Sequence, residues 1–211
     1  MEISEVLYKS FKQFADFFIG LVGTVVLAFP ASLIIFIIYK VKGYKGSIFF
    51  TQYRVGLNGK KFKIIKFRSM VENAEEILLA NKELHQKYIE NSYKLPPNED
   101  PRLTIIGELI RKTSIDEFPQ FINVLRGEMS FIGPRPILEK ELEEYSEEEQ
   151  KLLLSVKPGI TGMWQVSGRS EVFYPERCEM ELYYPRNQSF KLDVKIFLLT
   201  IKQVLMGKGA H

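Results

Sequence analysis

From Phe17 to Tyr39 the chain runs without a charged residue. As a straight α-helix, at about 1.5 Å per residue, such a stretch is roughly 35 Å long, enough for the hydrocarbon core of a bilayer. It is too long for a simple signal peptide and lacks the small-residue cleavage pattern. Pro30 sits near its middle, after Phe29 and before Ala31-Ser32. A proline there removes a backbone hydrogen bond and crowds the preceding turn, which predicts a kink or break.

The flanking charges leave two topologies open. Lys9 and Lys12 precede the segment, and Lys40, Lys42 and Lys45 follow it. With lysines on both flanks, the positive-inside rule picks no winner for a single crossing. A helix that enters, bends at Pro30 and returns to the same face satisfies both flanks, with Ser32 taking up a carbonyl freed at the bend. The other reading is an ordinary spanning helix with a tolerated proline. In either case the larger soluble part follows the segment, and Lys40 to Lys45 place it in the cytoplasm.

The whole chain has 211 residues, enough for one domain with a real core. Its net charge of +3 is modest, and no basic stripe marks a nucleic-acid partner. The single cysteine, Cys178, excludes an internal disulfide framework and fits a reducing compartment. No histidine accompanies it, so it reads as a packed small residue. The two histidines, His85 and His211, lie far apart and read as surface residues, which leaves a zinc site almost without ligands.

In the soluble part, Ile48 to Arg54 and Phe62 to Arg68 read as two strands joined through Asn58-Gly59. Alternation puts Phe62, Ile64, Lys66 and Arg68 on one face. Lys66 and Arg68 then either point together at one anion or are solvated strand charges. Ala74, Ile77, Leu78, Leu84 and Tyr88 predict one amphipathic helix over about Glu72 to Glu90. Pro96 to Pro101 forms a loop, and Thr104 to Lys112 a short helix. Ser146-Glu147-Glu148-Glu149 is a capping box before Leu152 to Val156, which makes the glutamates from Glu139 to Glu149 a solvated surface. The last segment, Leu192 to Met206, repeats Val194, Phe197, Leu198, Ile201 and Leu205 along one stripe, with Lys191, Lys195 and Lys202 largely off it. It fits a helix in the headgroup zone of a membrane and equally a helix packed on the core.

The densest chemistry lies in Thr113-Ser114-Ile115-Asp116-Glu117-Phe118-Pro119-Gln120, followed by Gly133-Pro134-Arg135-Pro136. Phe118, Phe121, Ile122 and Leu125 keep helical spacing, and Gly127 is a natural stop. Proline is cheap only in a first helical turn, which favours Asp116 as N-cap. A start at Ser114 with a Ser114–Glu117 capping box is the alternative. Both put Asp116 and Glu117 at the positive end of the helix, where anions are favoured. An ionised aspartate there suits nucleophilic attack on phosphorus, with Glu117 holding Mg²⁺ and arginines holding the remaining oxygens. Aspartate and glutamate at a helix start are also common as plain caps.

Taken in order, these runs form a longer pattern. Gln52-Tyr53-Arg54-Val55-Gly56 is followed by Lys66-Phe67-Arg68-Ser69-Met70, Asp100-Pro101-Arg102-Leu103-Thr104 and Arg111 to Gln120. Asn123 to Ser130, Gly133 to Pro136, Lys157-Pro158-Gly159-Ile160-Thr161-Gly162 and Trp164-Gln165-Val166-Ser167-Gly168-Arg169 complete it. The pattern resembles the bacterial sugar transferases known as monotopic phosphoglycosyl transferases, over nearly the whole chain.

The resemblance implies an α+β fold. Residues 1–45 would carry a re-entrant helix over about 17–39, with its break at Pro30. Residues 46–211 would form a cytoplasmic catalytic domain on the membrane surface, with a small β-hairpin or sheet, several amphipathic helices and a C-terminal interfacial helix. Phe29 stands where members often carry a serine, so that side chain's back-bond is not available at the bend. The resemblance also implies a minimal form, without the large extra N-terminal membrane region of some members.

The implied reaction transfers sugar-1-phosphate from a UDP-sugar to undecaprenyl phosphate, releasing UMP, as a first membrane step in exopolysaccharide, capsule or glycoconjugate assembly. By the same resemblance Asp116 is the nucleophile of a ping-pong scheme, Glu117 the Mg²⁺ ligand and Arg135 the phosphate-binding arginine. Lys66 and Arg111 match basic residues around the site, with Arg68, Gln165 and Arg169 as further candidates. The insert from about Asn73 to Asn98 resembles that of members acting on glucose or galactose, with N-acetylated sugars as the alternative. Partners would be the UDP-sugar, undecaprenyl phosphate, membrane lipid and downstream glycosyltransferases, with no nucleic acid; oligomeric state is not implied. The competing class is a catalytically silent scaffold recruiting glycosyltransferases, against which the intact Asp116, Glu117, Arg111 and Arg135 argue. A third reading is an enzyme that makes a phosphodiester without a sugar.

Overall fold

The apolar stretch needs to satisfy its backbone internally, and helix is the local way to do so. In the computed structural model, which describes residues 3–91, 93, 95–167 and 172–206, helix α1 covers Ile3–Gly23 and α2 covers Phe29–Lys42. Helical geometry does not stop at Pro30. The expected break is instead a π-helical turn, Thr24–Ala28, in which the Phe29 N–H donates to the Thr24 carbonyl five residues back. The wider turn leaves room ahead of the proline, which falls in the first turn of α2, where a missing N–H has little to lose. Two hydroxyls bond back along the helix, Thr24 Oγ1 to Gly20 O at 2.7 Å and Ser32 Oγ to Ala28 O at 2.6 Å. Ser32 thus bonds one turn back to Ala28, and not to the Val26 carbonyl that a missing Pro30 N–H leaves free in an α-helix, so the expected role at the freed carbonyl is not what this bond serves. The run from Val6 to Lys42 is long and apolar enough to cross a membrane.

Both limbs of this helix dock on the following body. Gly20 and Gly23 let α1 lie directly on the helix Gln120–Leu125 (α6), since a Cβ on Gly20 would come 2.9 Å from Leu125 N and one on Gly23 would overlap the Phe121 ring. Asp16 accepts from Ser130 Oγ at 3.0 Å and from the Phe131 N–H at 2.8 Å. From α2, Ile35 and Tyr39 pack with Phe67 and Ile110, and Phe118 and Ile115 border the same cluster.

The body is a mixture of short helices and two small sheets, which fits the α+β expectation. Strands β1 (Phe49–Val55) and β2 (Lys61–Phe67) pair antiparallel from Phe49 opposite Phe67 to Val55 opposite Lys61. Asn58 and Gly59 turn the chain at positive φ, as their sequence signals. The single helix expected over Glu72 to Glu90 is two: α3 (Ala74–Ala80) and α4 (Lys82–Glu90). The division falls at Asn81, whose Oδ1 accepts from the Leu84 N–H at 3.0 Å and starts a new helix. Helix α5 (Ile105–Lys112) is capped by Thr104, and α6 spans Gln120–Leu125. Strand β3 (Ser130–Ile132) lies parallel to β4 (Gly159–Thr161), and the crossover between them carries α7 (Glu147–Leu153), with the Ser146–Glu149 capping box formed. Then follow α8 (Met163–Val166), α9 (Glu176–Asn187) and α10 (Phe190–Met206).

Helix α10 is apolar on two faces. Leu192 and Ile196 enter the core, while Val194, Phe197, Leu198, Ile201 and Leu205 stay exposed. The stripe read from sequence is therefore the outward one. Asp193 ties α10 to α1 by accepting from Tyr8 OH at 2.8 Å and Lys12 Nζ at 3.1 Å. Cys178 is buried, and burial pushes its thiol up to about 11, in keeping with a packing role.

Candidate active site

Asp116 and Glu117 occupy a 3₁₀ turn, Ile115–Glu117, ahead of α6, rather than the start of that helix with Asp116 or Ser114 as its N-cap. Pro119 explains the difference. It has no N–H to give the Ile115 carbonyl, which instead accepts from Phe118 N at 3.1 Å, and the tighter turn results. The Ser114–Glu117 capping box does not form. Ser114 takes a left-handed conformation at φ 56, uncommon for a residue with a side chain. Helix α6 ends at Leu125, and Gly127 follows at positive φ as the expected stop.

Tertiary hydrogen bonds fix this turn. Asn123 on α6 is fully buried and treats β2 as a neighbouring strand would. Its Oδ1 accepts from the Ile65 N–H at 3.0 Å, and its Nδ2 donates to Lys63 O at 2.8 Å and Glu128 Oε2 at 2.7 Å. The adjacent strand residue, Lys66, reaches Glu117 Oε1 at 2.9 Å. Asp116 itself is buried against the body.

The two carboxylates open onto a cleft of about 1870 Å³ that also receives Lys66, Arg68, Arg111, Arg135, Gln165 and Trp164. All the sequence-derived site residues of the soluble part therefore border one space, except Arg169, which lies outside the described residues together with His211. Arg68 has a different role from Lys66. Strand β2 ends at Phe67, and beyond it Arg68 pairs with Glu72 at 2.9 Å, donates to the Lys45 carbonyl and lies over the Tyr39 ring. The expectation that Lys66 and Arg68 aim at one anion is thus not met: Lys66 holds Glu117, and Arg68 ties the hairpin to α2. Arg111 closes the last turn of α5 at the cleft wall.

Arg135 is positioned by backbone contact. A Cβ on Gly133 would overlap the Lys157 carbonyl, and one on Gly159 would overlap Gly133 N, so the Gly-Pro-Arg-Pro segment rests against the turn before β4. Arg135 donates to Glu141 Oε1 at 3.3 Å and sits 5.7 Å from the centre of the Trp164 ring.

Glu141 overturns the reading of the 139–149 glutamates as a uniformly solvated surface. It is 1% exposed. Besides Arg135 it faces Arg54 at 3.6 Å and Arg177 at 3.7 Å, and Oε2 accepts from the Leu138 N–H at 2.7 Å. Burial opposes its charge, but Arg135, Arg177, the Leu138 N–H and Arg54 together outweigh burial and hold it below its ordinary value of 4.5. Arg177 stacks 4.4 Å from the Trp164 ring and pairs with Glu181 at 2.8 Å. Arg54 and Arg177 escaped the functional reading of the sequence. Their signals were a charge inside strand β1 and an i, i+4 pair with Glu181. Nothing local distinguishes Glu141 from its neighbouring glutamates.

Chemically, one wall offers adjacent carboxylates with a lysine, and another part of the same cleft offers guanidinium groups over an indole. That combination suits a phosphorylated ligand. Among the described residues no three histidine, cysteine or acidic side chains gather. Two adjacent carboxylates fit a cation such as Mg²⁺, which completes its shell from water and substrate phosphate.

Residues 7–207 match the family model described as bacterial sugar transferase. Over 215 residues the chain is 41% identical to the undecaprenyl-phosphate galactose phosphotransferase of Salmonella typhimurium, across 100% of this chain and 44% of that protein. It is 44% identical over 202 residues to the galactosyl transferase CpsE of Streptococcus agalactiae, across 94% of this chain and 43% of that one. The exopolysaccharide production protein ExoY of Sinorhizobium fredii is 41% identical over 170 residues, 79% of this chain and 74% of its own. The chain thus spans less than half the length of the first two.

Proposed function

This chain belongs to the bacterial sugar transferase family, and on that premise we propose that it transfers sugar-1-phosphate from a UDP-sugar to undecaprenyl phosphate at the cytoplasmic face of the membrane. The observation that carries the reading is the convergence of Asp116, Glu117, Lys66, Arg111 and Arg135 on one cleft. The galactose named for the Salmonella relative supports a UDP-hexose donor, galactose first and glucose second.

In this reading an Asp116 oxygen attacks the phosphorus that carries the sugar. A new P–O bond forms to the carboxylate, the bond to the bridging oxygen breaks, and UMP leaves with the electron pair. The lipid phosphate then attacks the same phosphorus and releases Asp116. Dividing the transfer into two steps lets one cleft serve a soluble donor and a lipid acceptor in turn. Lys66 restrains Glu117, and Arg111 and Arg135 hold phosphoryl oxygens. Glu117, with Asp116 beside it, would hold Mg²⁺, which neutralises charge on phosphoryl oxygens when bound.

The docking of both helix limbs supports this membrane placement. A single crossing would carry one flank away from the body, yet α1 holds β3 through Asp16 and α2 holds Phe67 through Tyr39. This supports a re-entrant passage through one leaflet, with the exposed stripe of α10 lying in the headgroup zone. Cysteines introduced at Lys9 and Lys45 should then both be labelled from the cytoplasmic side only; labelling from opposite sides would show a crossing helix. UMP release from UDP-galactose with Mg²⁺ and undecaprenyl phosphate tests the reaction. If Asp116→Asn releases UMP at the wild-type rate, the nucleophile is wrong.

A further inference from the structure

Among the described residues, three guanidiniums, those of Arg54, Arg135 and Arg177, surround one carboxylate, Glu141, and only Glu181 adds a second anion to the cluster. Counted over those five side chains, one positive charge is left over in a nearly dry environment. Arg54 Nη2 bonds to Gln52 Oε1 at 3.0 Å. Its Nε and Nη1 are buried without a hydrogen-bond partner, as are both terminal nitrogens of Arg177. Buried charged donors left unsatisfied are costly, so those of Arg54 call for an anionic partner that binds and leaves, while those of Arg177 lie against the Trp164 and Tyr174 rings. Arg54 and Arg135 border the cleft, whereas Arg177 lies behind them against the Trp164 ring.

We propose that Arg54 and Arg135 form a single phosphate subsite, fixed from behind by Glu141 and Arg177, that takes the phosphoryl group departing with the nucleoside. The subsite rests on the transfer reading above. In that reaction the leaving phosphate gains charge as the bridging P–O bond breaks, and a paired fork of guanidinium donors matches its oxygens. Glu141 is a positioning residue: it touches both arginines and sets the spacing between their charges. Burial, and then the charge of Arg135, bring Arg54 down to about 10, so it remains a cation at neutral pH.

Trp164 is the only tryptophan, and it lies under Arg135 and Arg177, so its fluorescence reports on the subsite directly. Inorganic pyrophosphate would be titrated into the full chain in lipid nanodiscs, with UMP release measured on the same preparation. Arg54→Met, which keeps the packing, should weaken pyrophosphate binding at least about tenfold, or about 1.4 kcal/mol, with an unchanged near-ultraviolet spectrum. Wild-type affinity in that variant overturns the subsite. If Arg54→Met does not fold, Arg54→Lys decides, since it retains the charge but not the fork: a loss of about tenfold supports the subsite, and wild-type affinity overturns it. Glu141→Gln should raise KM for the donor more than it lowers kcat. A fall in kcat alone would remove its positioning role. Arg54-dependent pyrophosphate binding without UMP release would uphold the subsite and count against the transfer reaction, whereas UMP release unaffected by Arg54→Met would do the reverse.

Discussion

The cleft has two charged walls built on different principles. Around Asp116 and Glu117 the chain path sets the geometry: a left-handed Ser114, a 3₁₀ turn forced by Pro119, and Asn123 stitched to β2. The ion pair there, Lys66 with Glu117, is about a quarter exposed on each side. Around Glu141 the charges themselves set the geometry, with Arg177 and Glu181 at 1% and 0% exposure. A partly exposed pair contributes little to stability, whereas a buried charge stripped of its partner is strongly destabilising. The wall proposed to carry the nucleophile is thus held by the chain path, and the wall proposed to take a phosphate is held by electrostatics.

The sharpest way to break this contrast is Asp116→Asn. It should lower UMP release by at least about a thousandfold, roughly 4 kcal/mol of barrier, and leave the thermal midpoint near wild type. A large loss of stability would mean that Asp116 holds the fold as much as it acts. Next in size is Glu141→Ala, which leaves three guanidiniums facing one another; urea unfolding should show a loss of about 3–5 kcal/mol. Glu117→Ala should cost no more than about 1 kcal/mol in the same measurement. Equal losses would erase the distinction between the walls.

Acid sharpens the comparison further. The native value of Glu141 is depressed below 4.5, so its stabilisation is fully present above that pH and is lost as pH falls through the lower native value. The thermal midpoint of wild type should therefore drop below pH 4.5 more steeply than that of Glu141→Gln. The smallest effect is a control away from both walls. Thr104 Oγ1 caps α5 by accepting from Gly107 N at 2.9 Å, and Thr104→Ala should cost about 1 kcal/mol by urea unfolding.

Local signals were legible wherever neighbours in sequence do the work. The Asn58-Gly59 hairpin, the Thr104 start of α5 and the Ser146 capping box each depend on a few consecutive residues. Asn81 was legible in principle, since a polar side chain that captures a backbone N–H competes with helix continuation, but the apolar spacing across it masked the division. The apolar stripe of α10 was found, while the face that enters the core was not, because amphipathicity shows a stripe without showing what covers it.

By itself the sequence determined the apolar helix with its proline, the two-stranded hairpin and the adjacency of Asp116 and Glu117, because covalent order and short-range sterics dictate these. Only the tertiary structure decided that Pro30 is met by a π-turn, that Arg68 braces α2 while Lys66 holds Glu117, and that Glu141 alone among its neighbouring glutamates is buried. The reason is physical: a carboxylate becomes a buried partner only when distant strands and helices bring guanidiniums to it, and no local period encodes that meeting.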